Sequence, residues 1–425
     1  MHVDAAEGMS GEAGKSPTPL RHPPFLRYLA GLLADVMGDQ IWFIALAWAA
    51  ARATDTATAG LIVAAGTVPR MLALLHAGVV VDRLGALRVA QAAQAIRVVT
   101  MLAAVLAAIT SVPPVWLLVT LALVFGLADA MRLPASGALL PALLPADDLP
   151  VGQGLVSTGN RIASVLAGPA GGIALAMGGF SAAAGVNIAL FTLAMLIFVT
   201  LRHRLGVAPP PAPEGERGVF AGLRYVVRHR TILMMLTVTT GLNLALVGPL
   251  NLGVVLHVEK QQWSPTSLGL IMGVFGAAAA LGALSLSIYR PRRQQGRIGF
   301  LWSTTSAVAI MALGYAPGVL GVAAAAAIAG FALGPAGALL LGTVQATTQP
   351  EYLGRVMSLI SFSSFGLTPI GLAGFGYIAD SIGLPLAFLS AGGVVAVLSL
   401  AAAFTPVSHE SPAPTPEAPS EMESA

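Results

Sequence analysis

Phe25 to Ala51 reads FLRYLAGLLADVMGDQIWFIALAWAAA, and the reading of this stretch decides the fold. A helix needs about 20 residues to cross a bilayer core. This run has that length and carries two acids in its middle. Asp35 and Asp39 stand four residues apart and so share one helical face. A carboxylate at that depth costs about 2.5–3.5 kcal/mol even on the lower insertion scales. Two readings follow. Either the acids are neutralised by basic residues of neighbouring helices, or their face lines a polar cavity and at least one of them carries protons.

Composition extends the membrane reading to the whole chain. Of 425 residues, 56% are hydrophobic and 10% charged. A soluble domain carries about 25% charged residues, so the sequence is that of an integral membrane protein. The net charge of +3 is gathered into particular loops, which is not the pattern of a nucleic-acid binder. Cysteine is absent, which excludes disulfides, thiolate metal sites and cysteine nucleophiles.

About twelve spans of membrane length follow one another. They divide the chain into a disordered N-terminal segment 1–24, a first six-helix half 25–201, a linker 202–230, a second half 231–404 and a disordered tail 405–425. The linker is Pro-rich and ends in a short amphipathic helix carrying Arg224, Arg228 and Arg230. Basic residues cluster before the first span, after the second and eighth, and in the linker, whereas the opposite loops offer little beyond Arg52 and Lys260. The positive-inside bias therefore predicts cytoplasmic termini and a cytoplasmic linker in the cell membrane.

The two halves repeat. Gly137-Ala138-Leu139-Leu140 recurs as Gly337-Ala338-Leu339-Leu340, and Pro169-Ala170-Gly171 is answered by Pro369-Ile370-Gly371. Both matches have the same offset and fall in corresponding spans. Two parallel halves with a site between them near the midplane is a transporter arrangement.

The loop after the second span reads Gly78-Val79-Val80-Val81-Asp82-Arg83-Leu84-Gly85-Ala86-Leu87-Arg88. It resembles the G-x-x-x-D-R-x-G-R-[RK] signature of the major facilitator superfamily, with Ala86 where the family usually has Arg. The fifth span carries Gly168-Pro169-Ala170-Gly171-Gly172, similar to the exporter motif G-P-x-x-G-G, with Ile173 where the last Gly belongs. Gly38-Asp39, Pro69-Arg70 and Pro350-Glu351 with Gly354 to Ser358 further resemble the branch of macrolide efflux pumps and enterobactin-type siderophore exporters. The resemblance implies an all-α fold of two six-helix bundles that moves small, amphipathic molecules in exchange for protons. It also implies a gating latch of Gly78, Asp82, Arg83, Gly85, Arg88 and Asp129, in which Asp129 pairs with Arg83 or Arg88.

Depth along the helices, at about 1.5 Å per residue, sets Asp39 level with Arg70 and Asp35 level with Arg161. These four are the candidate coupling and substrate residues, either pairing with one another or serving transport. Arg97 is expected to snorkel to the surface. Trp42, Asn243, Asn251 and Gln345 are possible cavity residues. Gly168, Pro169, Gly171 and Gly172 form a candidate helix bend. No enzymatic group, cofactor or metal is expected, and the Gly-rich segments lack the strand–helix context of a phosphate loop. The expected partners are a small-molecule substrate, protons and the bilayer, and the expected state is a monomer. Uptake of a metabolite, or a receptor or scaffold that does not transport, are the competing readings.

Overall fold

The computed structural model describes residues 19–110, 113–145, 148–201, 224, 226–289, 291, 294–348, 356, 359–360 and 366–405. Among them every regular element is helical. The tails, most of the linker, and the segment holding Pro350, Glu351, Gly354 and Arg355 lie outside the described residues. The linker is described at 224 and 226–230; Arg224 and 226–228 are helical, His229 interrupts the helix, and Arg230 opens the next one.

The first half contains α1 (Pro23–Ala53), α2 (Thr56–Leu84), α3 (Ala86–Thr110), α4 (Val115–Leu143), α5 (149–178) and α6 (179–201). α5 and α6 run on without a loop, but 53 residues of helix would span about 80 Å, far more than a bilayer core. Gly178 (φ −166°) and Gly179 (φ +63°) break the helix there, the second in a left-handed conformation open to glycine. The chain folds back at this point. Gly159 and Gly171 of α5 face Leu33 and Ile41 in parallel order, whereas Phe191 and Phe198 of α6 meet Gly38 and Gly31 in antiparallel order.

The second half contains α7, α8 (Pro265–Ile288), α9 (Gln295–Leu313), α10 (Gly318–Thr347), α11 (Thr368–Ser381) and α12 (Leu384–Ala403). α7 runs from Arg230–Gly248 through a π-helical turn, Pro249–Gly253, into Val254–Lys260. Nine stretches among the described residues are long and apolar enough to cross a membrane, and one of them, Val151–Leu201, holds two crossings. With α2 and α11 the arrangement is consistent with twelve.

Packing follows the internal repeat. In the first half α2 packs on α4, α3 on α4, and α1 on α5 and α6; in the second α8 packs on α10, α9 on α10, and α7 on α11 and α12. The halves meet through α2 against α11 and α5 against α8, contacts that exchange when the halves are exchanged. Polarity is inverted relative to a soluble protein. Ile288, Met177 and Leu320 are 91%, 81% and 79% exposed, while Asp35 and Arg97 are fully buried. Lipid is the solvent that such an outer surface requires.

The turn between α1 and α2 shows how a helix start is fixed outside the bilayer. Asp55 accepts from the Thr58 backbone N–H at 2.9 Å and from its hydroxyl at 2.8 Å. These bonds, the backbone one first, hold its carboxyl down at about 2 from an ordinary 3.8. The folded value lies below the unfolded one. The cap therefore contributes in full above pH 3.8 and is lost as pH falls toward 2. Asp55→Ala is expected to speed hydrogen exchange at the first amides of α2, and Asp55→Asn, which keeps an acceptor, to slow it again. Equal exchange in all three proteins would remove the cap as the cause.

Candidate transport site

The charged residues of the first half converge inside it. Asp35 and Asp39 of α1, Gln94 and Arg97 of α3, Asp129 and Arg132 of α4, and Arg70 of α2 form one network. Arg132 donates from Nη2 to Asp39 Oδ2 and from Nε to Asp129 Oδ1, and its Nη1 forms an ion pair with Asp35 Oδ2, each at 3.0 Å. Arg97 bridges Asp35 and Asp39 and lies 3.4 Å from Asp129 Oδ1. Gln94 donates to Asp35 at 2.7 Å, and Arg70 reaches Asp129 Oδ2 at 3.0 Å. Three carboxylates thus meet three guanidiniums, and the network sums to zero.

Local sequence explains the convergence. The i, i+4 spacing of the two α1 acids and the i, i+3 spacing of Gln94/Arg97 and Asp129/Arg132 put each set on one helical face. Gly38 has no side chain where Phe191 passes: a Cβ there would lie 2.4 Å from the ring. Phe191 therefore sits close to α1, and with Phe125 it flanks Arg97, whose guanidinium carbon is 4.4 Å and 4.7 Å from the two ring centres. A planar, delocalised cation tolerates this better than an ammonium group.

Several expectations change here. Arg97 does not snorkel; it is the fully buried centre of the network. Asp129 pairs with Arg70, Arg97 and Arg132 rather than with Arg83 or Arg88, both of which are exposed. The reason is helix length. α4 continues through Pro134 to Leu143, which carries Asp129 and Arg132 well into the bundle instead of leaving them at its end. Asp35 pairs with Arg97 and Arg132, not Arg161, and the carboxylate partner of Arg70 is Asp129 rather than Asp39. Of the proposed latch, Gly85 makes the tight turn after α2 with φ +88°; Gly78 is within α2, and the Asp82 side chain lies outside the described residues.

A cavity of about 430 Å³ lies between the halves, lined from α1, α5, α7, α8 and α10. Its polar side chains are Gln40, Asn160, Arg161, Ser164 and Asn251, set among apolar groups such as Phe43, Met272, Phe275 and Leu333. Asn251 sits in the π-helical turn of α7, a local widening that often marks function in a helix. Trp42 is not in the cavity: it is buried in the first half, with its ring 5.0 Å from Phe125 and 6.1 Å from Phe180. Asn243 and Gln345 are also absent from the lining.

The cavity ends at a glycine seal toward the end of the bundle away from the termini. A Cβ on Gly172 would lie 2.5 Å from Gly269 Cα, and one on Gly168 would lie 2.8 Å from Met272 Cβ. Pro169 packs directly on Gly273, so two stripes of small residues cross at backbone distance. At the related contact Gly60 of α2 meets Gly376 of α11, where an added Cβ on either would come within 3.0 Å of the other's Cα. Gly171 faces α1 instead, and a methyl there would meet Ile41 and Ile44 at an ordinary 3.6 Å. Gly172→Ala is therefore expected to keep the halves from closing at this end, while Gly171→Ala leaves closure intact. Cysteine cross-linking across α5 and α8 measures this, and equal cross-linking in both variants would count against the seal.

Two helical halves around a cavity, with a charge-balanced network buried beside it, define a membrane transporter. The chain belongs to the Major Facilitator Superfamily, which it matches over residues 28–371. It is similar to the multidrug efflux pump Tap of Mycolicibacterium fortuitum, with 29% identity over 407 residues covering 92% of this chain and 97% of that protein. Tap of Mycobacterium tuberculosis strain H37Rv is 28% identical over 396 residues, covering 87% and 90%. Among solved structures, the POT family transporter PepTSo aligns with a TM-score of 0.72 at 12% identity, over 90% of this chain and 97% of that one. A bacterial homologue of the iron transporter ferroportin in an inward-facing state aligns with 0.69 at 15% identity, over 92% and 100%. These structural likenesses show the fold.

Proposed function

We propose that the protein is a proton-coupled exporter of small amphipathic molecules, including drug-like compounds, working by alternating access in the cell membrane with its termini in the cytoplasm. The observation that carries the coupling is the neutral network of three acids and three arginines on four helices. A proton added to it leaves one positive charge without a counterion in a dry interior, which costs several kcal/mol unless the network opens. Asp39 is the point of entry. Its side chain is 12% exposed whereas that of Asp35 is fully enclosed.

The link to cargo is α1 itself. A proton on Asp39 weakens the hold of Arg97 and Arg132 on α1, and α1 supplies Gln40, Phe43 and Ile44 to the cavity wall. Asp35 remains anchored by Gln94, Arg97 and Arg132, so α1 tilts about that point. Proton binding and cargo binding then act on one helix in opposite senses, which is the requirement for exchange. The export direction is supported by the similarity to pumps named for multidrug efflux. The exposed Arg83 and Arg88 at the terminal end of the bundle support cytoplasmic termini. Each chain encloses its own cavity, which suits a working monomer.

Flux of an amphipathic dye in proteoliposomes with an imposed pH gradient tests the proposal. Dye should move against its own gradient, protons should move the other way, and a protonophore should stop both. Dye movement indifferent to the pH gradient would reject proton coupling.

A further inference from the structure

We infer that the cavity selects cargo bearing an anionic group beside a hydrogen-bond donor, with Arg161 reading the anion and Asn160 the donor. The inference takes the cavity as the cargo site of the exporter proposed above. Among the described residues, Arg161 is the single charged side chain in the wall, and none of them there is an acid. The interior acids Asp35, Asp39 and Asp129 are all engaged by Arg70, Arg97 and Arg132, so none is offered to a cationic cargo. Arg52 and Glu259, which pair at 3.9 Å across the halves, sit beyond the glycine seal.

Asn160 adds a second, independent feature. Its Oδ1 is enclosed with no hydrogen-bond partner, in a residue that lines the cavity next to Arg161, so a rotation of the amide offers this acceptor to cargo. A buried acceptor without a donor is unfavourable by about 1–3 kcal/mol, and a cargo N–H or O–H relieves it. A guanidinium matches a carboxylate through paired hydrogen bonds. In a cavity whose remaining wall is largely apolar and carries no other charge among the described residues, that contact is less screened than in water. An apolar body fills the remainder, against Phe43, Met272, Phe275 and Leu333.

Three dansyl probes of similar shape separate these features: dansylglycine (anion with adjacent N–H), dansylglycinamide (neutral) and dansylethylenediamine (cation). Dansylsarcosine keeps the anion and lacks the N–H. Equilibrium binding is measured by fluorescence on the full chain in phosphatidylcholine nanodiscs, with no pH gradient. Dansylglycine should bind more tightly than the amide by roughly ten- to a hundredfold, the fold-change of one charge-assisted hydrogen bond, and the cation should bind most weakly. Dansylsarcosine should fall below dansylglycine. Arg161→Ala should bring dansylglycine down to the amide, whose unchanged binding shows an intact cavity, and Arg161→Glu should move the preference to the cation. If Arg161→Ala loses amide binding too, Arg161→Gln, which keeps size and polarity, decides by the same ratio. Displacement of dansylglycine by added phosphatidylglycerol would identify a lipid headgroup as the natural anion, and its failure would identify a dispersed amphiphile. A carboxylate no better than its amide on the unmodified protein, or a preference that survives loss of Arg161, overturns the inference. Because no gradient is used, anion selectivity without gradient-driven flux would refute the exporter reading and leave this one standing.

Discussion

Arg97→Met should lose about 3–5 kcal/mol of stability, the usual consequence of removing one partner from a buried ion pair. The guanidinium it removes is fully buried, bridges both acids of α1, and lies against Phe125 and Phe191. Methionine fills much of the volume, so the loss is mainly electrostatic: Asp35 and Asp39 remain enclosed with one cation fewer. The double variant Arg97→Met/Asp35→Asn restores the charge balance and should recover part of the loss, a coupling of about 0.5–3 kcal/mol. Arg97→Lys should fall between, because an ammonium keeps the charge but not the planar fork between two rings. Unfolding of purified protein in detergent reads all three. An Arg97→Met protein as stable as the parent would show that the network does not hold α1, α3 and α4 together.

Asp39→Asn is told apart by transport rather than by stability, with complete loss of gradient-driven flux. The amide imitates the protonated acid and keeps an oxygen for Arg132, which lies 3.0 Å from Asp39 Oδ2 in the parent. The network then carries one uncompensated positive charge permanently and has no proton to release. Dye exchange down its own gradient should persist, because it requires the cavity and the rocking of the halves but no titration. Gradient-driven flux should fall to the level of protein-free vesicles. Normal uphill flux in Asp39→Asn would move the proton to Asp35, and loss of both exchange and uphill flux would mean that the substitution had blocked the conformational change itself.

Much of this was legible in the residues. Apolar runs of bilayer length, basic loops on one side and a common offset between repeats specify a two-half helical membrane protein, because lipid admits few other ways to satisfy a backbone. The cost of charge in lipid made Asp35 and Asp39 candidates before any contact was known. Gly168, Pro169 and Gly172 were also visible, since small residues are what close helix crossings need.

Which charges meet was decided by the tertiary structure. Depth counted from assumed helix ends set Asp35 level with Arg161 and Asp39 level with Arg70, but depth does not say which way a helix is turned. Arg97 and Arg132 carry the α1 acids because α3 and α4 present those faces inward, and because α4 runs through Pro134 to Leu143. Proline at that point reads in sequence as a helix end, yet a membrane helix can pass through it when neighbouring groups take up the freed carbonyl. Arg161 was left to face the cavity for the same reason of rotation. Composition fixed that charges lie in the bilayer; helix rotation, which the sequence does not encode locally, decided which are neutralised inside one half and which remains in the cavity wall.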